Sequence, residues 1–485
     1  MGAVNGKELI NRLDQLKSEI WFDGEKITGK ISKHPAFKGI LETKASLYDL
    51  QLDPSVTNEL TFISPDTNKP TGLSYLQPKT KEDLVKKRKM MEHWARQTKG
   101  MMGRSPDYIN SVIMAFASSA SFLKGKEKCF PENIQSIYEL AMSKDLTFTH
   151  TFVTPQVNRS LFNYHSSKEP IAAKVIDNNE QGLVIKGARL LATQGGLTDE
   201  VLVFSTPNFF LEEDEAYAFS IPSDTPGLKF ICRESFVGGD STFNHPLSSR
   251  FEEMDSLVVF DNVLVPWNRV FYYGNIEASV NFLLKSSFHC FALHQTITRQ
   301  IVKSEFMLGI AQLLVETIDV GEYQHIHEKL SEFIIGLETM KALLEKSEQN
   351  SELDEFCTMR PHLPPLQIAS NIFPNIYPRY CEIIQIIGAS GMVTLPTEKA
   401  INSLIGSDIN HYLQGSDRTA EERIKIFRLA WDLTMSSFGT RQIQYERYFF
   451  GDPIRMSSTL YNTYPKAQYV KNVCEFLDIN SEGSC

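Results

Sequence analysis

Arg104 and Tyr108 stand four residues apart, just behind Ser105-Pro106. A serine N-cap followed by proline starts a helix, and residues at i and i+4 then share one side of it. A permanently charged guanidinium beside a phenolic hydroxyl can stabilise an oxyanion. Taken alone, the pair reads first as a surface arginine stacked on a half-buried tyrosine. His150, closing Asp145-Leu146-Thr147-Phe148-Thr149-His150, can exchange a proton near neutral pH, although an isolated strand histidine is more often a satisfied core residue. Pro155-Gln156-Val157-Asn158-Arg159 reads as a polar loop, Ser205-Thr206-Pro207 as a strand-ending turn, and Phe450-Gly451-Asp452-Pro453 as a helix stop. The sequence holds no GxGxxG after a strand, no GxxxxGK[ST], no GxSxG and no HExxH, so the usual nucleotide, serine-hydrolase and zinc-protease motifs are missing. His325 and His327 face different directions on a helix and read as solvated rather than metal-binding.

In their order and distances, Gly103–Tyr108, Thr149-His150 with Pro155–Arg159, Gly187-Ala188-Arg189 through Ala192-Thr193, and Phe450–Pro453 resemble the oxygenase component of two-component 4-hydroxyphenylacetate 3-monooxygenases. Further matches are Ser220–Gly227, Val258–Trp267 and Ala420–Arg423 through Leu429–Asp432. The resemblance implies an aromatic hydroxylase that uses FAD as FADH2, with O2 as co-substrate. A C4a-hydroperoxyflavin would pass oxygen to the ring carbon ortho to the hydroxyl of a para-substituted phenol. It also implies that Arg104, Tyr108 and His150 surround the phenolic oxygen as catalytic residues. An electrophilic oxygen attacks phenolate far faster than phenol, which explains a cation with neutral donors there. By the same resemblance, Ser205 and Thr206 receive a substrate carboxylate. Gln156, Val157, Asn158, Arg159, Thr193, Phe450, Gly451, Asp452 and Pro453 meet the flavin, the last turn from a neighbouring subunit. A separate NAD(P)H:flavin reductase would supply FADH2, and the chain would form a homo-oligomer, expected to be a tetramer. Phenol or chlorophenol hydroxylation, or an acyl-CoA dehydrogenase-like activity, are the alternatives on the same scaffold.

The elements positioning these residues change character twice. Residues 1–145 read as an N-terminal helical domain, with Lys81–Thr98 and Tyr108–Leu123 at helical spacing. Residues 146–275 carry short β-branched and aromatic runs broken by turns, among them Asp261-Asn262 between two strand-like pieces. Residues 276–485 return to long helices: Ser279–Asp319, Tyr323–Gln349, Pro374–Ile387 and Ala420–Phe438. Composition and pattern give α+β in several domains. The resemblance makes this an acyl-CoA dehydrogenase-like fold, with a central β-barrel domain for the flavin and substrate loops and a C-terminal bundle for flavin and oligomerisation. Glutamine and two glycines after Thr193 read as a flexible segment.

The 485 residues are 42% hydrophobic and 22% charged, with a net charge of −10. An acidic balance disfavours nucleic acid as a partner. No apolar run reaches a membrane span, and the N-terminus lacks a signal core, so no membrane partner is expected. The seven cysteines stand no closer than eleven residues apart, which disfavours a zinc or cluster site and reads as free thiols in the cytoplasm.

Overall fold

The computed structural model describes residues 2–65, 68–157, 169–205 and 211–479. Several helices begin where the sequence supplies caps. Thr80 and Asp83 form a reciprocal capping box before Lys81–Gln97, and Thr419 and Glu422 do so before Ala420–Thr434. Pro106 occupies the first turn of Pro106–Ser118, but the Ser105 side chain does not cap it; the hydroxyl donates instead to the Asp107 carboxylate. The helix Pro131–Lys144 ends on Asp145 in the left-handed region, φ 50°. Short polar side chains tolerate that region best, and it turns the chain into the strand carrying His150.

The central strands form two sheets, and no closed barrel is present among the described residues. One sheet has six strands in the order Glu25–Lys26, Glu19–Phe22, Leu228–Cys232, Asp255–Pro266, Gly182–Thr193, Lys174–Asn179. The other has four: Val270–Tyr273, Tyr217–Pro222, Glu200–Phe204, Phe148–Thr151. Two strands of the first sheet come from the N-terminal region, where the sequence pattern suggested only helices. The expected Asp261-Asn262 turn is a bulge inside one continuous strand, with register shifting between Phe260 and Val263 and Asn262 at φ 53°. A residue that favours a turn serves a bulge equally well, and the sheet ladder on both sides decides between them.

Helices pack against both sheets. The expected Ser279–Asp319 helix is two, Ile276–Lys285 and Phe288–Thr317, broken at Ser287, φ 55°. The expected Ala420–Phe438 helix likewise divides, into Ala420–Thr434 and Ser437–Tyr448, with Ser436 capping the second. Leu363–Gly388 runs through Pro374 and Pro378 as one helix. One aromatic-rich core joins Tyr108, Phe116, Phe148, Phe204, Phe288 and Phe291. The His150 strand and the helix carrying Tyr108 meet there.

Candidate active site

Four elements fix Arg104. The Gly103 and Arg104 amides each donate to the buried Glu253 carboxylate at 2.8 Å. Gln194 Nε2 donates to the Arg104 carbonyl at 3.1 Å and to Glu253 at 2.9 Å. The Tyr445 ring lies where a Cβ on residue 103 would stand, so glycine is required at that position. The Arg104 guanidinium then sits 4.5 Å from the Tyr108 ring centre, 4.2 Å from Phe449 and 5.8 Å from Tyr445.

His150 lies against the same group. Its ring stacks on Tyr108 at 5.8 Å, on Phe152 at 5.3 Å and on Phe204 at 6.0 Å. Parallel pairing of Phe148–Thr151 with Glu200–Phe204 sets this, placing His150 opposite Leu202 and carrying Phe204 onto the imidazole. Burial, reinforced by Arg104, holds the His150 pKa well below the ordinary value. Burial raises that of Tyr108, although Arg104 opposes it. Near neutral pH the trio therefore carries one positive charge and two neutral rings. Arg104 Nη1, His150 Nδ1 and the Tyr445 hydroxyl are buried with no hydrogen-bond partner among the described residues. Buried polar atoms are rarely left so, and here three surround one aromatic stack.

The remaining expected residues divide. Thr193 is buried beside the stack; its carbonyl accepts from Thr149 at 2.7 Å, and its hydroxyl donates to Asp255 at 2.9 Å. Asp255 is held at about 2, against the effect of burial, by Arg441 and Arg233. Gln194, expected to be flexible, is 2% exposed, with its amide donating to Met254. Gln156 and Val157 are exposed, while Asn158, Arg159 and Thr206 lie outside the described residues. Ser205 is buried; its hydroxyl donates to the Glu215 carbonyl and its amide to Tyr217. Phe450 packs on Phe449 at 6.3 Å and Phe288 at 6.4 Å. Gly451 takes φ 132°, and Asp452 caps the helix Pro453–Thr463.

Glu253, Tyr445 and Phe449 were not singled out in the sequence, and Gln194 only as part of a flexible segment. Glu252-Glu253-Met254-Asp255, acids pressed against a strand, was the available signal. A cleft of about 280 Å³ between Leu363–Gly388 and Pro453–Thr463 is lined by Pro374, Pro453 and Met456. A narrower gap shares Pro374 and Met456 with it and reaches Phe449 and Phe450. The cleft thus borders the Phe450–Pro453 turn, not the Arg104 stack itself.

A family model described as 4-hydroxyphenylacetate 3-hydroxylase N terminal matches residues 5–272, and one described as 4-hydroxyphenylacetate 3-hydroxylase C terminal matches residues 279–478. A probable 4-hydroxyphenylacetate 3-monooxygenase of Bacillus subtilis (strain 168) is 66% identical over 482 residues, 99% of this chain and 100% of the relative. The crystal structure of an oxygenase component of 4-hydroxyphenylacetate 3-monooxygenase, complexed with FAD and 4-hydroxyphenylacetate, superposes with a TM-score of 0.93 at 44% identity, covering 98% of each chain. An archaeal 4-hydroxybutyryl-CoA dehydratase, at 18% identity and a TM-score of 0.88 over 100% of this chain and 96% of that one, shares the fold.

Proposed function

Because this chain belongs to the 4-hydroxyphenylacetate 3-hydroxylase family, we propose that it is the oxygenase of a two-component system and hydroxylates 4-hydroxyphenylacetate, or a close para-substituted phenol, beside its hydroxyl. The observation that carries this reading is the convergence of Arg104, Tyr108 and His150 on one dry aromatic stack with unspent hydrogen-bonding capacity.

Each member of the trio has a role in holding the phenolic oxygen. Arg104 offers a full positive charge and a free N–H to the developing phenolate. Tyr108, kept protonated by burial, donates its hydroxyl. His150, kept neutral, has a nitrogen that can take the phenol's proton; the phenolate formed beside it then offsets the repulsion from Arg104. Tyr108, Phe152, Phe204 and Phe449 exclude water, which strengthens each of these contacts.

The residues present fit a flavin. The open cleft beside the Phe450–Pro453 turn leaves room for part of the cofactor, which Phe450, Gly451, Asp452 and Pro453 would hold. By the family resemblance, Gln156, Val157 and Thr193 would also meet it, as would Asn158 and Arg159, which lie outside the described residues. Bound FADH2, with O2, supplies the oxygen atom that enters the ring. An acyl-CoA dehydrogenase would need a free glutamate base; buried Glu253 is instead occupied by two backbone amides and Gln194.

An NAD(P)H:flavin reductase is the proposed source of FADH2, and the cytoplasm the proposed compartment. No helix among the described residues is long and apolar enough to cross a membrane. A homotetramer is the proposed assembly. The faces expected to bury its interface are those of Ser279–Asp319 and Tyr323–Gln349: most of Phe288–Thr317 is already buried within the chain, Gln324–Gln349 exposes Ile334 and Ile335, and Pro453–Thr463 and Ala467–Phe476, which bury no residue, expose Ile454, Tyr461 and Phe476. We retain the division into 1–145, 146–275 and 276–485, noting that the two family models meet between residues 272 and 279.

The test is to give the purified protein photoreduced FAD, O2 and 4-hydroxyphenylacetate. A catechol product is expected. Peroxide without catechol, or no binding of FADH2, would overturn the reading.

A further inference from the structure

Arg189, from the strand Gly182–Thr193, is 2% exposed. Its Nη2 donates to Tyr217 OH at 2.6 Å and Ser205 Oγ at 3.3 Å, and its Nη1 to the Phe152 carbonyl at 3.3 Å. The guanidinium also lies 5.2 Å from the Tyr217 ring centre. All these partners are neutral, and among the described residues no carboxylate pairs with Arg189. Its Nε is buried without a partner. The acid that feels it most closely is Glu215, whose pKa burial raises despite the pull of Arg189. An unpaired buried cation is costly unless an anion joins it.

Ser205 has no donor to spare: its hydroxyl serves the Glu215 carbonyl and its amide the Tyr217 carbonyl. An anion beside Ser205 therefore needs positive charge from elsewhere. Between Glu200 and Glu215 the sequence contains neither lysine nor arginine. Arg189 reaches Ser205 from sixteen residues away, and its other arm holds Phe152, which stacks on His150.

We propose that Arg189 is the positioning and selectivity-determining residue for the substrate's carboxylate: its buried positive charge, fixed beside Ser205, favours an anionic para-substituent there over a neutral one. The inference rests on the proposed phenol hydroxylation and on a carboxylate lying at Ser205.

The experiment compares kcat/KM for 4-hydroxyphenylacetate with that for 4-methylphenol in the wild type, Arg189→Gln and Arg189→Lys. The wild type should favour the acid by roughly tenfold or more. In Arg189→Gln that ratio should collapse by about tenfold, through KM for the acid, while the neutral phenol changes less than about threefold. Arg189→Lys, which keeps the charge, should retain most of the ratio. If both substrates lose equally in Arg189→Gln, Arg189 is only structural and the proposal is overturned. Loss of the ratio in Arg189→Lys as well would overturn the role of charge. Should Arg189→Gln fail to fold, the lysine variant and the wild-type preference for 4-hydroxyphenylacetate over its neutral amide decide the matter. A wild type that shows no preference for the acid removes the carboxylate reading beneath the proposal, and a wild type that makes no catechol removes the hydroxylase reading itself.

Discussion

Two arginines flank the Phe449 ring, Arg104 at 4.2 Å and Arg299 at 5.3 Å, and differ in what surrounds their charge. Arg299 donates to Glu446 at 2.6 and 2.9 Å and to the Gly100 carbonyl at 2.9 Å. Lys303 joins the same carboxylate at 2.8 Å and Gln442 at 2.6 Å. That cluster is almost fully paired and ties Phe288–Thr317 to Ser437–Tyr448. The Arg104 guanidinium lies against the Tyr108, Phe449 and Tyr445 rings, pairs with no carboxylate among the described residues, and keeps its buried Nη1 without a partner. Glu253 binds the backbone amide of Arg104 rather than its charge. A satisfied buried charge holds a fold together, whereas one that is fixed but unsatisfied is prepared for a ligand.

The contrast breaks most visibly at Glu446. Glu446→Ala strands two buried cations and should cost roughly 3–5 kcal/mol of stability, measured by denaturant unfolding. An unchanged midpoint would erase the distinction between the clusters. Arg104→Ala should do the reverse: kcat/KM should fall by roughly 2–4 kcal/mol of transition-state stabilisation with little change in unfolding midpoint. Equal losses of stability and activity would make Arg104 another structural charge.

Acid sharpens the comparison further. Although burial pushes the Glu446 carboxyl up, Arg299 and Lys303 hold it far below the ordinary carboxylate range. A depressed carboxylate contributes stability that is complete above its unfolded pKa and is lost as pH falls through the folded one. Melting temperature should therefore drop steeply below about pH 4.5, and Glu446→Gln should flatten that drop. His150 is also depressed, so its contribution is complete above the unfolded value near 6.5 and declines below it. Its kinetic consequence is the smaller effect: the free enzyme's kcat/KM should show no histidine ionisation between about pH 6 and 7. A step there that vanishes in His150→Asn would mean that the imidazole is charged in the free enzyme.

Much of the site was legible because its signals are local or run in chain order. The i, i+4 spacing of Arg104 and Tyr108 and the helix start at Pro106 are short-range facts. His150 was not legible from spacing; the resemblance of its segment brought it forward, and the structure places it on Tyr108. Gln194-Gly195-Gly196 looked loose because glycine has many conformations when nothing constrains it. In the fold, Gln194 takes φ 63° and clamps Arg104 to Glu253. Asp261-Asn262 had the composition of a turn, and the neighbouring strands made it a bulge.

The sequence by itself determined the family, the order of elements, the caps that start several helices, and which residue types line the site. Only the tertiary structure decided which polar atoms are spent. Glu253 meets Gly103 across 150 residues, Asp255 meets Arg441 across 186, and Arg189 supplies a charge that the Ser205 segment lacks. The reason is physical: helix starts and turns are set by neighbours a few residues away, whereas hydrogen-bond satisfaction in a dry core depends on whichever distant groups the packing brings within about 3 Å.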